Sequence, residues 1–167
     1  MENITKEEKL LAVFVILAAF LRLIPHPLNF TPITSLALFS GVMFNRKWMS
    51  VGIPLIAMVL SDMFLGFYSI SLWVYIAFIC ITIFGWFINK MNINSILLSS
   101  IIFFIVSNFG VWVLGYPHTI EGLLLCYTMA IPFFGYSIVG DIFWGMIIKH
   151  SFKFIKNKLW QVSQQNF

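Results

Sequence analysis

Charge is the scarcest thing in this sequence. Charged residues fill only 10% of 167 positions, against about 25% in a soluble domain. Six acids and ten bases cannot cover the water-facing surface of a chain this long. That excludes a soluble enzyme, a disordered chain and a nucleic-acid binder. Cysteine is scarce as well. Cys80 and Cys126 stand in apolar segments without a CxxC pair or a disulfide framework, and read as small buried hydrophobes. There is no Gly-rich phosphate loop, no HExxH and no GxSxG elbow. No carboxylates pair at catalytic spacing, and no arginine ladder or selectivity filter appears. Of the histidines, His150 falls on the opposite side from His26 and His118; those two with Glu121 make at best a thin metal site. No catalytic residue, metal or cofactor is expected.

What remains is apolar. Hydrophobic residues make up 60% of the chain, aromatics 18% with 19 Phe, and mean hydropathy is +0.96. A spanning helix needs roughly 20 apolar residues, so six would use about 120 and leave only short connections. Hydropathy predicts an all-α, polytopic membrane protein, a bundle of six transmembrane helices: Leu10–Ile24, Ile33–Phe44, Trp48–Phe67, Ile70–Ile88, Ser95–Leu114, and a sixth ending near Lys149. Pro132 is expected to divide the last stretch, with Glu121–Ala130 as a short surface helix before the span. Residues 1–9 then form an N-terminal tail, 10–149 the bundle, and 150–167 a basic amphipathic tail. The first segment lacks a small-x-small cleavage site and is not expected to be a cleaved signal.

Counting bases orients the bundle. With the N-terminus in the cytoplasm, the inner side holds Lys6, Lys9, Arg46, Lys47, Lys90, Lys149, Lys153, Lys156 and Lys158, and the outer side holds only Arg22. This is a strong positive-inside asymmetry, and it requires an even number of spans with both termini inside. In the tail, Lys149, Lys153 and Lys156 share one helical face and Phe152, Ile155 and Leu159 another. This is either an amphipathic extension along an anionic leaflet or an ordinary basic anchor. Thr34, Ala37 and Gly41 on helix 2, and Ala12 and Ala19 on helix 1, make small faces that serve either as internal seams or as a docking surface.

The remaining polar residues gather on the outer side. The link Arg22-Leu-Ile-Pro-His-Pro-Leu-Asn-Phe-Thr-Pro32 is stiffened by three prolines. It carries Arg22, His26 and Asn29, as a pocket wall or as a solvated connection. Asp62 in helix 3 needs a partner at membrane depth, and Arg22 is the expected one. Asn108, Trp112 and Tyr116 recur at four-residue spacing on helix 5. They can line a pocket for a flat polar ligand, or serve as helix glue and interfacial belt. Tyr68, Tyr75 and Tyr127 read the same two ways. Asp141, flanked by Gly140 and Gly145 in helix 6, is either a proton-linked or gating group or a bond to a neighbouring helix. A solute pocket should bring Arg22, His26, Asp62, Asn108 and Trp112 together at one outer site; if those side chains point to lipid or are separated by packed helices, the transport reading through that pocket fails.

These motifs carry a resemblance. Residues 22–33 (RLIPHPLNFTPI), 37–41 (ALFSG), 54–58 (PLIAM), 61–67 (SDMFLGF), 107–112 (SNFGVW) and 130–134 (AIPFF) resemble a family of small bacterial membrane proteins of unassigned function. The match covers about residues 20 to 145. That family is similar to the S components of energy-coupling-factor vitamin transporters, nearest to the solitary cobalamin-uptake type. The resemblance implies a bacterial inner-membrane protein with cytoplasmic termini. It implies an outer pocket near His26, Asp62 and the start of helix 4 for a vitamin or similar small solute, and uptake with an ATPase-containing energy-coupling module or by slow toppling in the bilayer. The solitary type meets cobalt with a cysteine near the start of helix 4. Here that region offers Tyr75, with Cys80 more than a turn further on. Ala12, Ala18 and Ala19 only approximate the alanine pattern by which S components dock. The competing expectation is a non-transport membrane scaffold or accessory subunit.

Overall fold

A computed structural model describes residues 4–24, 30–88 and 90–165. The described residues are helical, with no strand: α1 (Lys6–Ala19) and a 3-10 turn Phe20–Leu23, α2 (Ile33–Met43), α3 (Lys47–Leu65), α4 (Ser71–Phe87), α5 (Ile93–Gly115) and α6 (Ile120–Gln165). By length and composition, α3, α5 and the Ile120–Leu159 part of α6 are long and apolar enough to cross a membrane. α2 and α4 are apolar but shorter.

Local signals set the ends. α1 starts a turn earlier than hydropathy suggests because Thr5-Lys-Glu-Glu8 is a capping box: Thr5 Oγ1 accepts the Glu8 N–H at 3.1 Å, and Glu8 Oε2 accepts the Thr5 N–H at 3.0 Å. Asn92 and Ser95 do the same for α5. α3 stops at Gly66, whose φ of 93° is open only to glycine at little strain.

The sixth segment corrects an expectation. Pro132 does not divide it; α6 is continuous through the proline. The missing proline N–H leaves one carbonyl of the preceding turn without its helical bond. Breaking the helix would free several more, each needing a new partner. The stretch before Pro132 is also held on α5. Tyr127 Oη donates to the Ile105 carbonyl at 2.6 Å, buried Cys126 donates to the Asn108 carbonyl, and Phe104 stacks on both Tyr127 and Phe134. The helix of 46 residues is about 70 Å long, more than twice a bilayer's hydrocarbon core. It runs on through Phe152, which packs between Phe14 and Phe39 in the core.

The core surrounds α2. From Ile33 to Gly41 every α2 residue is buried, and α4, α6, α3, α5 and α1 all touch it. The small face of helix 2 is thus an internal seam. A methyl on Gly41 would lie 2.3 Å from the Thr82 carbonyl oxygen, and one on Gly85 would lie 2.9 Å from Gly41 Cα. The two backbones touch where these glycines meet.

Basic residues from separate parts of the chain share one end. Arg46 pairs with buried Glu8 at 3.2 Å and Lys156 pairs with Glu7. Lys149 donates to the Met91 carbonyl at 2.8 Å, and Lys47 lies 5.0 Å over the Trp86 ring. Arg22 lies at the opposite end.

Two outcomes test this packing. Gly41→Leu must force α2 from α4, so it should lower stability by about 1–3 kcal/mol in detergent unfolding, whereas Gly52→Leu, at a site with open space, should not. The Glu8 carboxyl is held below its ordinary range, first by the Thr5 N–H and also by Arg46, against the opposing effect of burial. A depressed acid stabilises above its unfolded-state value and loses that contribution as pH falls through its folded-state value. The stability gap between wild type and Glu8→Gln should therefore be open at neutral pH and close in acid.

Candidate functional site

Three of the expected site residues meet between the 3-10 turn, α3 and α4. Arg22 Nη1 donates to Asp62 Oδ1 at 2.6 Å and to Ser61 Oγ at 2.9 Å. Tyr75 Oη donates to Asp62 Oδ2 at 2.5 Å. Asp62 sits where α3 approaches its Gly66 stop, which aims it at both donors. Its side chain is 5% exposed and that of Arg22 15%. Both carboxylate oxygens are thus engaged. The void beside Arg22, walled by Val15, Ala19, Pro54, Met58 and Phe78, holds about 10 Å³, room for one water at most. Among the described residues this cluster is a lock between helices with no room for a solute. His26 and Asn29 lie outside the described residues.

The other expected residues lie elsewhere. α5 ends at Gly115 and Tyr116 turns extended, at φ −123° and ψ 158°. The face that Asn108 and Trp112 begin therefore stops short of Tyr116. Trp112 Nε1 donates to the Pro117 carbonyl at 2.9 Å, and its ring contacts Phe109 and His118, bracing the turn into α6. Tyr68 is exposed, its hydroxyl donating to the Leu65 carbonyl. Cys80 is half-buried in α4.

Asn108 is the exception. It lines a cleft of about 290 Å³ between α4, α5 and the upper part of α6. Val74 forms the α4 side, Phe103, Phe104, Ser107 and Asn108 the α5 side, and Ala130, Phe133 and Ser137 the α6 side, with Ser100 also contributing. Asn108 Nδ2 donates to the Phe104 carbonyl at 2.8 Å, which fixes the amide along the helix. α4 separates this cleft from the Asp62 cluster, with Val74 lining the cleft and Tyr75 bonding Asp62. Arg22, Asp62, Asn108 and Trp112 thus do not share one pocket.

Behind the cleft lies Asp141, 3% exposed. Ser100 Oγ is 2.7 Å from Asp141 Oδ2 and 3.1 Å from the Ile96 carbonyl oxygen. The Thr34 hydroxyl also bonds the carboxyl, and Ser35 Oγ donates to the Asp141 carbonyl at 2.6 Å. Gly145 allows this: a methyl there would stand 2.9 Å from Ser35 Oγ and 2.7 Å from Ile96 Cδ1. Ser100, Ser107 and Ser137 went unnoticed in the sequence. Their only signal is hydroxyls recurring in helices without charge, which reads equally as helix glue. Among the described residues no three His, Cys, Asp or Glu side chains gather to hold a metal.

Comparison with known proteins gives one match. The model of a family of unknown function (DUF6580) covers residues 2–164. No curated protein and no solved structure matches.

The Asp62 cluster sets its own test. Removing one partner of a buried pair costs about 3–5 kcal/mol, because the other charge is left without compensation. Arg22→Met and Asp62→Leu should each destabilise strongly in detergent unfolding. The double variant should recover much of that loss; two losses that simply add would show the pair to be uncoupled.

Proposed function

We propose that this chain, which belongs to the DUF6580 family of unknown function, is a six-span protein of a bacterial inner membrane that binds a small solute in the α4–α5–α6 cleft for uptake. The orientation, with both termini in the cytoplasm, is supported by the nine-to-one asymmetry of bases. In that orientation the cleft opens in the outer half, where S-component-like proteins hold their vitamins. The chain has no nucleotide-binding motif, so uptake draws on a separate ATPase-containing energy-coupling module.

The observation that carries this reading is the cleft. It combines aromatic walls, Phe103, Phe104 and Phe133, with a few convergent polar groups, Ser100, Ser107, Asn108 and Ser137. That is the usual makeup of a small-molecule site. Its volume, near 290 Å³, is at the small end of ligand sites. A corrinoid ring is far too large for it. A flat, partly apolar solute the size of a small water-soluble vitamin fits.

One observation favours the scaffold reading instead. Four of the residues expected to share an outer pocket are divided by α4, and the Arg22–Asp62–Tyr75 group is complete without a ligand. On that reading the cleft receives a partner helix.

The two readings separate on purification in mild detergent. Mass spectrometry should find a co-purifying small molecule, or a vitamin panel should raise the melting temperature. Ala130→Trp, which fills the cleft from α6, should weaken that binding at least tenfold, while Arg22→Lys should leave it nearly unchanged. An empty protein that ignores the panel would favour the scaffold.

A further inference from the structure

Asp141 is the one buried acid whose side chain meets no basic group among the described residues. The three ion pairs found there belong to Asp62, Glu8 and Glu7. α6 packs against α5, α2 and, more lightly, α1. Neither α2 nor α5 contains a single Asp, Glu, Lys, Arg, His, Tyr or Cys. The titratable residues of α1, Lys6, Glu7, Glu8 and Lys9, lie at the basic end, where Glu7 pairs with Lys156 and Glu8 with Arg46. On α6 itself Tyr136 is exposed, Cys126 and Tyr127 bond α5 carbonyls, and Lys149 and His150 bond the Met91 and Met146 carbonyls. Across the cleft, Tyr75 of α4 is held by Asp62. Among the described residues nothing near Asp141 can neutralise a carboxylate except hydroxyls, and an uncompensated charge in an apolar interior is strongly disfavoured.

The hydroxyl geometry says what neutralises it. Ser100 has one proton, yet its oxygen lies within hydrogen-bond distance of both Asp141 Oδ2 and the Ile96 carbonyl. Two acceptors cannot share that proton at full strength. If Oδ2 carries a proton, it donates to Ser100 Oγ, and Ser100 donates to Ile96. Both contacts are then complete hydrogen bonds. Ser100 also lines the cleft, so the chain of bonds leads from the acid to the cleft surface.

We propose that Asp141 is a proton-binding site whose proton exchanges with the cleft through Ser100. Water in the cleft loads and removes the proton, and a solute that covers Ser100 closes that route. The second part rests on the cleft being a solute site; the first does not.

Infrared difference spectroscopy of the full chain in lipid nanodiscs tests it. At neutral pH the wild type should show a protonated-carboxyl stretching band that Asp141→Asn lacks. Asn keeps a donor toward Ser100, so this variant should fold; an unchanged circular dichroism spectrum checks that. Raising the pH should remove the band. Ser100→Ala, which takes away a hydroxyl that can donate to the ionised carboxylate, should move the loss to higher pH. No assignable band at any pH would overturn the proposal, as would a band that appears only when sodium is withheld, which would make Asp141 a sodium ligand. The measurement uses no solute. A band with no solute binding keeps the proton site and discards the uptake reading, and binding without a band does the reverse.

Discussion

Everything in this bundle is arranged around one helix with no free face. α2 is only 11 residues long and is buried from Ile33 to Gly41. A helix covered on all sides must be apolar all round or have its hydroxyls satisfied. Thr34 and Ser35 meet that demand by bonding Asp141, while the buried Ser40 hydroxyl has no partner among the described residues. The Ala37 carbonyl accepts from Thr82 of α4 at 3.3 Å. Such contacts need backbones that come close, and glycine supplies them: Gly41 against Gly85, and Gly145 against Ser35. The positions of α4, α5 and α6, and hence of the cleft between them, follow from how they close on α2.

The chain buries two acids in its apolar midsection and treats them in opposite ways. Asp62 receives a guanidinium and a phenol, so both of its oxygens are engaged by donors. That arrangement ties the 3-10 turn after α1 to α3 and α4. Asp141 receives hydroxyls, which can donate or accept. That arrangement tolerates a change of protonation without moving a helix.

Much of the fold could be read from the residues, because in an apolar chain the hydropathy breaks are few. Ile33–Phe44 and Ile70–Ile88 differ from α2 and α4 by a residue at each affected end. The Asp62–Arg22 pair was legible because an acid inside a span needs a partner and Arg22 is the one base on that side. Pro132 misled because a proline removes only one helical bond, and the stretch before it is held on α5 through Cys126 and Tyr127. The candidate site was legible only in part. Spacing on a helix says which residues share a face, but not which neighbour that face meets. Tyr75 and Val74 are adjacent, and α4 sends one to Asp62 and the other to the cleft. Asn108 was found because an amide at that depth stands out. Ser100, Ser107 and Ser137 do not stand out, since a serine bonding back to its own helix leaves the same trace.

The proposed link between the cleft and Asp141 runs through α5. This helix carries no ionisable residue, and its hydroxyls face two ways. Ser95 and Ser99 are buried and bond within the helix. Ser107 looks into the cleft, and Ser100 does both, touching the cleft and Asp141. A charged residue at position 100 would have to be compensated in every state. A hydroxyl reverses its bond direction by rotating about one torsion, so a group arriving in the cleft can alter the proton on Asp141 while α5 stays where α2 and α6 hold it. The link requires no large motion, which suits a bundle whose central helix has no room to move.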